Sequence, residues 1–272
     1  MDELRAAVAI ARKDLHNLSR YRWSMFGLVF TPLYQGVIPA FLFGAAFAIG
    51  GRVTGLETSV GTDDLSGYIF LGGMVSGLVA IAFWSMAMSF RNEMDMGTLE
   101  PTWLTPTKHD TLVLGRLLGG AAIFALSQAV LLALGVLFFG LRFSGGFLLA
   151  LPALGIAVVG MLGTAYLLAG LVPVIREANF FVDTTNFLYS SLSGVAFPIT
   201  LLPGVLQPVS YLLPTTYAVD LMRQHAIGSR PILDPALEYG LLILTTAIMF
   251  PIGRWAFACH GRASSARPVL ND

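Results

Sequence analysis

Between two long apolar stretches of this 272-residue chain lies a polar segment, Arg91-Asn92-Glu93-Met94-Asp95-Met96-Gly97-Thr98-Leu99-Glu100. Its carboxylates at Glu93, Asp95 and Glu100 are suited to pairing with cations on a second protein, and Leu99 offers an apolar knob among them. Gly97 and Pro101 flank Thr98-Leu99-Glu100, and Leu104-Thr105-Pro106 closes the segment. Thr107-Lys108-His109-Asp110 then matches the S/T-x-x-D/E cap that opens a helix. The spacing predicts a short helix held between two apolar ones. A force applied to it would pass directly to both neighbours. That chemistry is mechanical rather than catalytic.

Other reactive side chains make no comparable pattern. His16, His109, His225 and His260 share no ligand spacing, so no metal site is expected. Ser190, Ser191 and Ser193 lie near Tyr189 with no histidine at that depth, and hydroxyl-mediated helix packing explains them better than a nucleophile. Asp63 and Asp64 read as a solvated loop. Cys259 stands alone, which excludes an intrachain disulfide and leaves the expectation of a buried, inert thiol. The only lysines, Lys13 and Lys108, have no G-x-x-x-x-G-K-S/T frame, so the chain is not expected to hydrolyse ATP by that route.

The elements that position the polar segment are membrane helices. Hydrophobic residues make up 56% and charged residues 12% of the chain, with mean hydropathy +0.74; globular chains carry roughly 25% charge. Stretches able to supply the roughly 20 apolar residues of a span occur at Met25–Ile49, Tyr68–Phe90, Leu112–Gly140, Phe147–Ile175, Phe180–Leu202 and Tyr239–Cys259. The expected fold class is an all-α integral membrane protein in one domain. It comprises an amphipathic cytoplasmic interface helix over 1–24, a six-span bundle over 25–260 and a cytoplasmic tail over 261–272. With the N-terminus inside, twelve basic residues fall on the inner side and only Arg52, Arg142, Arg223 and Arg230 on the outer. That asymmetry follows the positive-inside rule and places both termini in the cytoplasm. The first apolar run is too long for a signal peptide and reads as a retained span.

Finer features follow. Leu4, Val8, Ala11, Leu15 and Leu18 share one helical face, with Arg5, Arg12, Lys13 and Arg22 mostly off it, which suits a helix lying on the inner membrane surface. Pro32 and Pro39 predict a kink in the first span. Gly73…Gly77 and Gly115…Gly119 have the spacing of close helix contacts. Pro198, Pro203, Pro208 and Pro214 break up runs too short to cross, which reads as two re-entrant helices on the outer side. Acids near the membrane are limited to Glu177 and Asp183, at the inner start of the fifth span. A proton- or sodium-driven carrier would be expected to keep acids near the bilayer centre.

Taken together, Glu93…Gly97-Thr98-Leu99-Glu100…Thr105-Pro106 resembles the E-x-x-x-G-T-L-E…T-P signature of ATP-binding-cassette type-2 exporter permeases. Leu213-Pro214-Thr215-Thr216-Tyr217-Ala218-Val219-Asp220-Leu221-Met222-Arg223 is similar to a second motif of that family. Pro101 departs from the pattern and puts the length of the short helix in doubt. The resemblance implies a transport subunit, not an enzyme, that dimerises with a second and identical copy. It implies two copies of a separate cytoplasmic ATPase, which hold the ATP and Mg. Glu93, Gly97, Thr98, Leu99, Glu100, Thr105 and Pro106 would couple to that ATPase. Pro203, Pro214, Tyr217, Asp220 and Arg223 would form an outer re-entrant gate, and Gln35, Gln128, Tyr166, Asn186 and Tyr189 are candidates for the substrate path. Apolar walls around those polar groups suit a drug or lipid. Arg20-Tyr21-Arg22-Trp23-Ser24 is reminiscent of polysaccharide or glycolipid exporters. An ion-coupled carrier and a non-transporting scaffold are the readings from other classes. The net charge of zero gives no reason to expect a nucleic acid partner, and membrane lipids surround the chain.

Overall fold

A computed structural model of the chain describes residues 2–38, 41–42, 60–62, 64–87, 96–97, 109–139, 141, 145–172, 175, 177–195 and 197–265. The described residues form helices and turns with no strand. In chain order these are α1 (Asp2–Arg20), α2 (Arg22–Thr31), α3 (Leu65–Ile81), α4 (His109–Phe139), α5 (Phe147–Leu171), α6 (Ala178–Leu192), α7 (Gln207–Ser210), α8 (Pro214–Ile227) and α9 (Pro235–Ser265). Two π-helical segments, Pro32–Val37 and Ala82–Ala87, extend α2 and α3. A 3-10 turn spans Ile199–Leu201.

Helix boundaries follow local chemistry. Asp64 caps α3, its Oδ1 accepting from the Gly67 amide at 2.8 Å, so one acid of the predicted loop has a structural task. Asp63 lies outside the described residues. Pro32 opens a π-helical segment where a kink is predicted, and the Val29 carbonyl accepts from Ser127 Oγ of α4 at 2.8 Å. Pro39 lies outside the described residues. α8 begins with Pro214 in its first turn and stops at Gly228, which has φ +67° and gives its N–H to the Arg223 and Gln224 carbonyls.

Among the described residues, four stretches are long and apolar enough to cross a bilayer: Leu65–Trp84, Leu118–Phe138, Phe147–Leu171 and Pro235–Cys259. The first and fifth predicted spans differ. The first is helical from Arg22 to Ile38, beyond which most of the predicted stretch lies outside the described residues. The predicted fifth span, Phe180–Leu202, is broken: α6 ends at Leu192, and Gly194 turns the chain at φ +75°. The predicted re-entrant stretch resolves into the 3-10 turn, the single-turn α7 and one full helix, α8.

Packing rests on small residues, as it must where lipid removes the hydrophobic drive for helices to associate. α9 lies along α5 so closely that a Cβ on Gly253 would collide with the Gly163 carbonyl. Gly73 and Gly77 of α3 meet the first π-helical segment, where added Cβ atoms would stand 2.6 Å from Val37 Cγ2 and Pro32 Cγ. Gly115 receives α1, with Ile10 Cβ 2.6 Å from its would-be Cβ. α1 is helical over the predicted stretch and docks on α4 through its alanine side. Ala7 and Ala11 are buried against α4, Thr111 Oγ1 donates to Glu3 Oε2, and Val8 and Leu15 remain exposed. Cys259, predicted to be buried, is exposed on α9, because the helix turns its glycine side and not its thiol to α5.

The glycine contact sets a contrast on one helix. Gly253→Val should destabilise the protein by about 1–3 kcal/mol or more, since backbone must move to admit the side chain. Gly240→Val, with nothing within 4 Å of its would-be Cβ, should be neutral. Thermal melting of the two variants in mild detergent checks the difference, and equal midpoints would contradict the assigned α5–α9 contact.

Candidate functional site

The predicted coupling residues fall mostly outside the described part of the chain: Glu93, Thr98, Leu99, Glu100, Thr105 and Pro106 all do. Gly97 is described. It has φ +66°, a conformation that favours glycine, and its would-be Cβ meets nothing within 4 Å. Met96 beside it is 74% exposed. The segment is bounded by the π-helical end of α3 at Ala87 and by the start of α4 at His109, where the cap pattern predicts a helix. The first turns of α4 are the ones that carry α1.

The predicted outer-gate residues converge in part. Arg223, 3% exposed, is the centre of a dense set of contacts. Its Nε and Nη2 donate to the Tyr68 carbonyl at 3.2 and 3.1 Å, Nη1 to the Gly194 carbonyl at 2.8 Å, and Nη2 to the Val195 carbonyl at 2.6 Å. The guanidinium carbon also sits 3.4 Å from the centroid of the Tyr68 ring, a cation–π contact. One side chain of α8 thus ties the first turn of α3 to the turn that ends α6. Burial pulls the Arg223 pKa below its ordinary value, while Tyr68 and Asp220 nearby oppose that. An arginine starts so far above neutrality that the cation persists.

Asp220 lies one turn earlier on α8, and its Oδ2 accepts from Gln224 Nε2 at 2.7 Å and the Ile232 amide at 3.0 Å. Tyr217 donates from its hydroxyl to the Tyr211 carbonyl at 2.7 Å, joining α8 to the turn after α7. Pro214 packs at Gly160 of α5. Pro203 is exposed in the turn before α7 and does not share this site. Tyr68, Ser193, Thr200, Tyr211, Asp220, Arg223 and Arg230 contribute polar groups to a cavity of about 230 Å³.

The predicted substrate-path residues do not form one constellation. Gln35 lies in the first π-helical segment, and its side chain is outside the described residues. Gln128 donates to the Met74 carbonyl at 3.3 Å. Tyr166 packs edge-on to Phe250 and Phe257 of α9, at 6.0 and 5.7 Å between ring centroids. Asn186 and Tyr189 sit one turn apart on α6, with Tyr189 edge-on to Phe83 at 5.5 Å. Gln128 Oε1 and Asn186 Oδ1 are buried without a hydrogen-bond partner among the described residues. Ser193 acts as predicted for a packing hydroxyl, bonding the Tyr189 carbonyl and Thr215 Oγ1, each at 2.6 Å.

Sequence reasoning missed two participants. Glu238, 1% exposed in the first turn of α9, accepts from Gln224 Nε2 at 2.6 Å and from the Leu233 amide at 2.9 Å. Tyr68 supplies both a ring and a carbonyl to Arg223. Glu177 and Asp183, the acids that the sequence puts nearest the bilayer, are exposed, and Asp220 and Glu238 are buried. A lone acid opening an apolar stretch was the signal in the sequence for Glu238.

Replacing Arg223 by leucine should lower stability by roughly 3 kcal/mol or more, because three buried carbonyls lose a charged donor. Arg223→Lys should rescue only part of the loss, since an ammonium cannot span three acceptors in one plane. Tryptophan-fluorescence melting in detergent reads both, and full rescue by lysine would show that charge alone matters.

Comparison with known proteins adds the context of relatives. Over 193 residues the chain is 26% identical to nodulation protein J of Rhizobium meliloti (strain 1021), covering 65% of this chain and 73% of that protein. It is 28% identical over 216 residues to nodulation protein J of Sinorhizobium fredii (strain NBRC 101917 / NGR234), covering 77% and 78%. It is 27% identical over 186 residues to the probable doxorubicin resistance ABC transporter permease protein DrrC of Mycobacterium tuberculosis (strain ATCC 25618 / H37Rv), covering 66% of this chain and 63% of that protein, under two thirds of its length. The family profile described as ABC-2 type transporter matches residues 5–226, from α1 almost to the end of α8, and the chain belongs to that family.

Proposed function

We propose that this chain is the permease subunit of an ATP-driven exporter that moves a hydrophobic or amphipathic substrate, a drug or a lipid, out of the cytoplasm or the inner leaflet. It works as a homodimer with two copies of a separate cytoplasmic ATP-binding subunit, which holds the ATP and Mg. Both termini lie in the cytoplasm, and the membrane is the cell's inner (plasma) membrane. The observation that carries this reading is the acidic Glu93–Glu100 segment placed between α3 and α4 in an ABC-2 family chain.

Physical connections support it. A displacement of the segment enters α4 at His109, and α1 is fixed to the next two turns of α4 through Thr111 and Gly115. Interlocked backbones of this kind move as one body. On its other side the segment follows α3 in the sequence, and the π-helical end of α3 packs Phe83 against Tyr189 of α6. The name of DrrC refers to doxorubicin resistance, which is in keeping with a drug-like cargo, while the name nodulation protein J states no substrate.

Two experiments test the proposal. Affinity purification of the tagged chain from its native membrane in mild detergent should bring down a near-stoichiometric soluble ATP-binding protein. Its reproducible absence from intact preparations would leave a carrier or a scaffold as the better reading. In a reconstituted complex, Glu93→Ala with Glu100→Ala removes two charged contacts worth about 1.5–3 kcal/mol each. It should abolish transport while insertion and melting stay unchanged. Normal export by this double variant would remove the coupling role.

A further inference from the structure

At roughly 3.6 residues per turn, α1 divides into three lengthwise sectors. One carries Ala7 and Ala11, both buried against α4. Beside it runs an apolar strip, Val8 and Leu15, that stays exposed. Next to the strip lies an arc of exposed cations, Arg5, Arg12, Lys13 and Arg20. Arg12 stands one turn from both Val8 and Leu15, so charge and apolar surface are neighbours on one free flank.

The acids among the described side chains of α1 lie elsewhere. Glu3 is turned to α4, where it accepts from Thr111 Oγ1. Asp14 stands beside Gly119 of α4, its Cβ 3.7 Å from a would-be Cβ there, and pairs with Lys13 at 3.4 Å. Arg5, Arg12, Arg20 and, at the head of α2, Arg22 form no ion pair with a described residue. Four guanidiniums are thus available to an anionic partner.

Contacts with α4 set the depth of this flank. Glu3 meets Thr111, Ile10 meets Gly115, and Ala11 and Asp14 meet Gly119. The apolar stretch of α4 begins at Leu118. α1 therefore climbs beside the turns of α4 that precede the hydrocarbon and reaches its edge by Asp14, with the headgroup layer just outside. Arg20 and Arg22, farther along, are long enough to return their charge to that layer. Tyr21 and Trp23 at the junction are 70% and 88% exposed, and such rings favour the headgroup level. A soluble acidic partner would answer the arginines alone. A lipid leaflet answers both features, with phosphates on the cations and acyl chains on Val8 and Leu15.

We infer that this flank of α1, through Arg5, Arg12, Arg20 and Arg22, binds the headgroups of anionic phospholipids in the leaflet at which the apolar stretch of α4 begins. Selectivity follows from charge. A zwitterionic headgroup offsets its phosphate with its own cation, whereas an anionic one brings a charge that the arginines alone neutralise. The inference rests on the contacts of α1 and stands or falls apart from the transport reading.

Native mass spectrometry of the full-length protein, equilibrated in mild detergent with equal amounts of phosphatidylglycerol and phosphatidylcholine, tests it. The protein should retain phosphatidylglycerol in preference, and equilibration at about 0.5 M salt should remove most of that preference, since exposed cations are screened. Replacing Arg5, Arg12 and Arg20 together by glutamine should lower the retained phosphatidylglycerol by about fivefold or more, the weight of a single cation at an anionic surface. Equal retention of the two lipids by the unaltered protein overturns the site, whatever the variant does. Undiminished phosphatidylglycerol on a variant that melts like the unaltered protein also overturns it. If that variant instead loses a protein from its native-membrane pull-down, the arc is a protein-docking surface.

Discussion

A main-chain carbonyl freed at a helix end inside an apolar bundle must find a donor, and in this chain one guanidinium meets that need for Gly194 and Val195 while also bonding the Tyr68 carbonyl of α3. Lipid offers nothing to such a group, and an unmet acceptor costs several kcal/mol in hydrocarbon. The Tyr68 carbonyl lies in the first turn of α3, and Gly194 and Val195 form the turn that stops α6. Arg223 reaches all three because α8 passes between these ends. Gly72 leaves it room, since a Cβ there would lie 2.6 Å from Nη2. The proline-rich passage from 198 to 214 follows from the same constraint. Its short helices can exist because Tyr217, Thr216 and Gln207 return hydrogen bonds to its carbonyls.

Elsewhere the bundle is held by approach distance rather than by polar bonds. α5 and α9 touch backbone to backbone, and α1 meets α4 through alanines and glycines. Contacts of this type gain dispersion energy and forfeit little side-chain entropy. They also make α5, α8 and α9 one continuous packed body among the described residues. α6 is different, with Phe180, Phe187 and Leu188 all turned outward.

Much of this was legible in the sequence because its causes are local. Runs of apolar residues mark α3, α4, α5 and α9, and Pro214 and Gly228 mark the ends of α8. The glycine pairs at 73/77 and 115/119 mark two real contacts. The contact at Gly163 and Gly253 was not legible, since the two glycines are 90 residues apart and share no motif. The fifth span was misread because hydropathy continues through Val195 and Phe197 while the backbone has already turned at Gly194. Apolarity and helicity are separate properties there. The side by which α1 docks on α4 carried no mark in the sequence. The leucine stripe reports what suits lipid, whereas the alanine side fits the glycines of α4. Arg223, Asp220 and Tyr217 were singled out through a motif, but their partners Tyr68 and Glu238 sit in other helices and carry no mark of the pairing.

The length of α6 has a consequence for the membrane itself. Fifteen helical residues rise about 22 Å, against roughly 30 Å of hydrocarbon, which leaves about 8 Å uncovered at one end. α6 alone is therefore too short to cross, and it is not among the four described stretches that are long and apolar enough. A crossing at this place would need the chain after Gly194, or a thinner bilayer, to make up the difference.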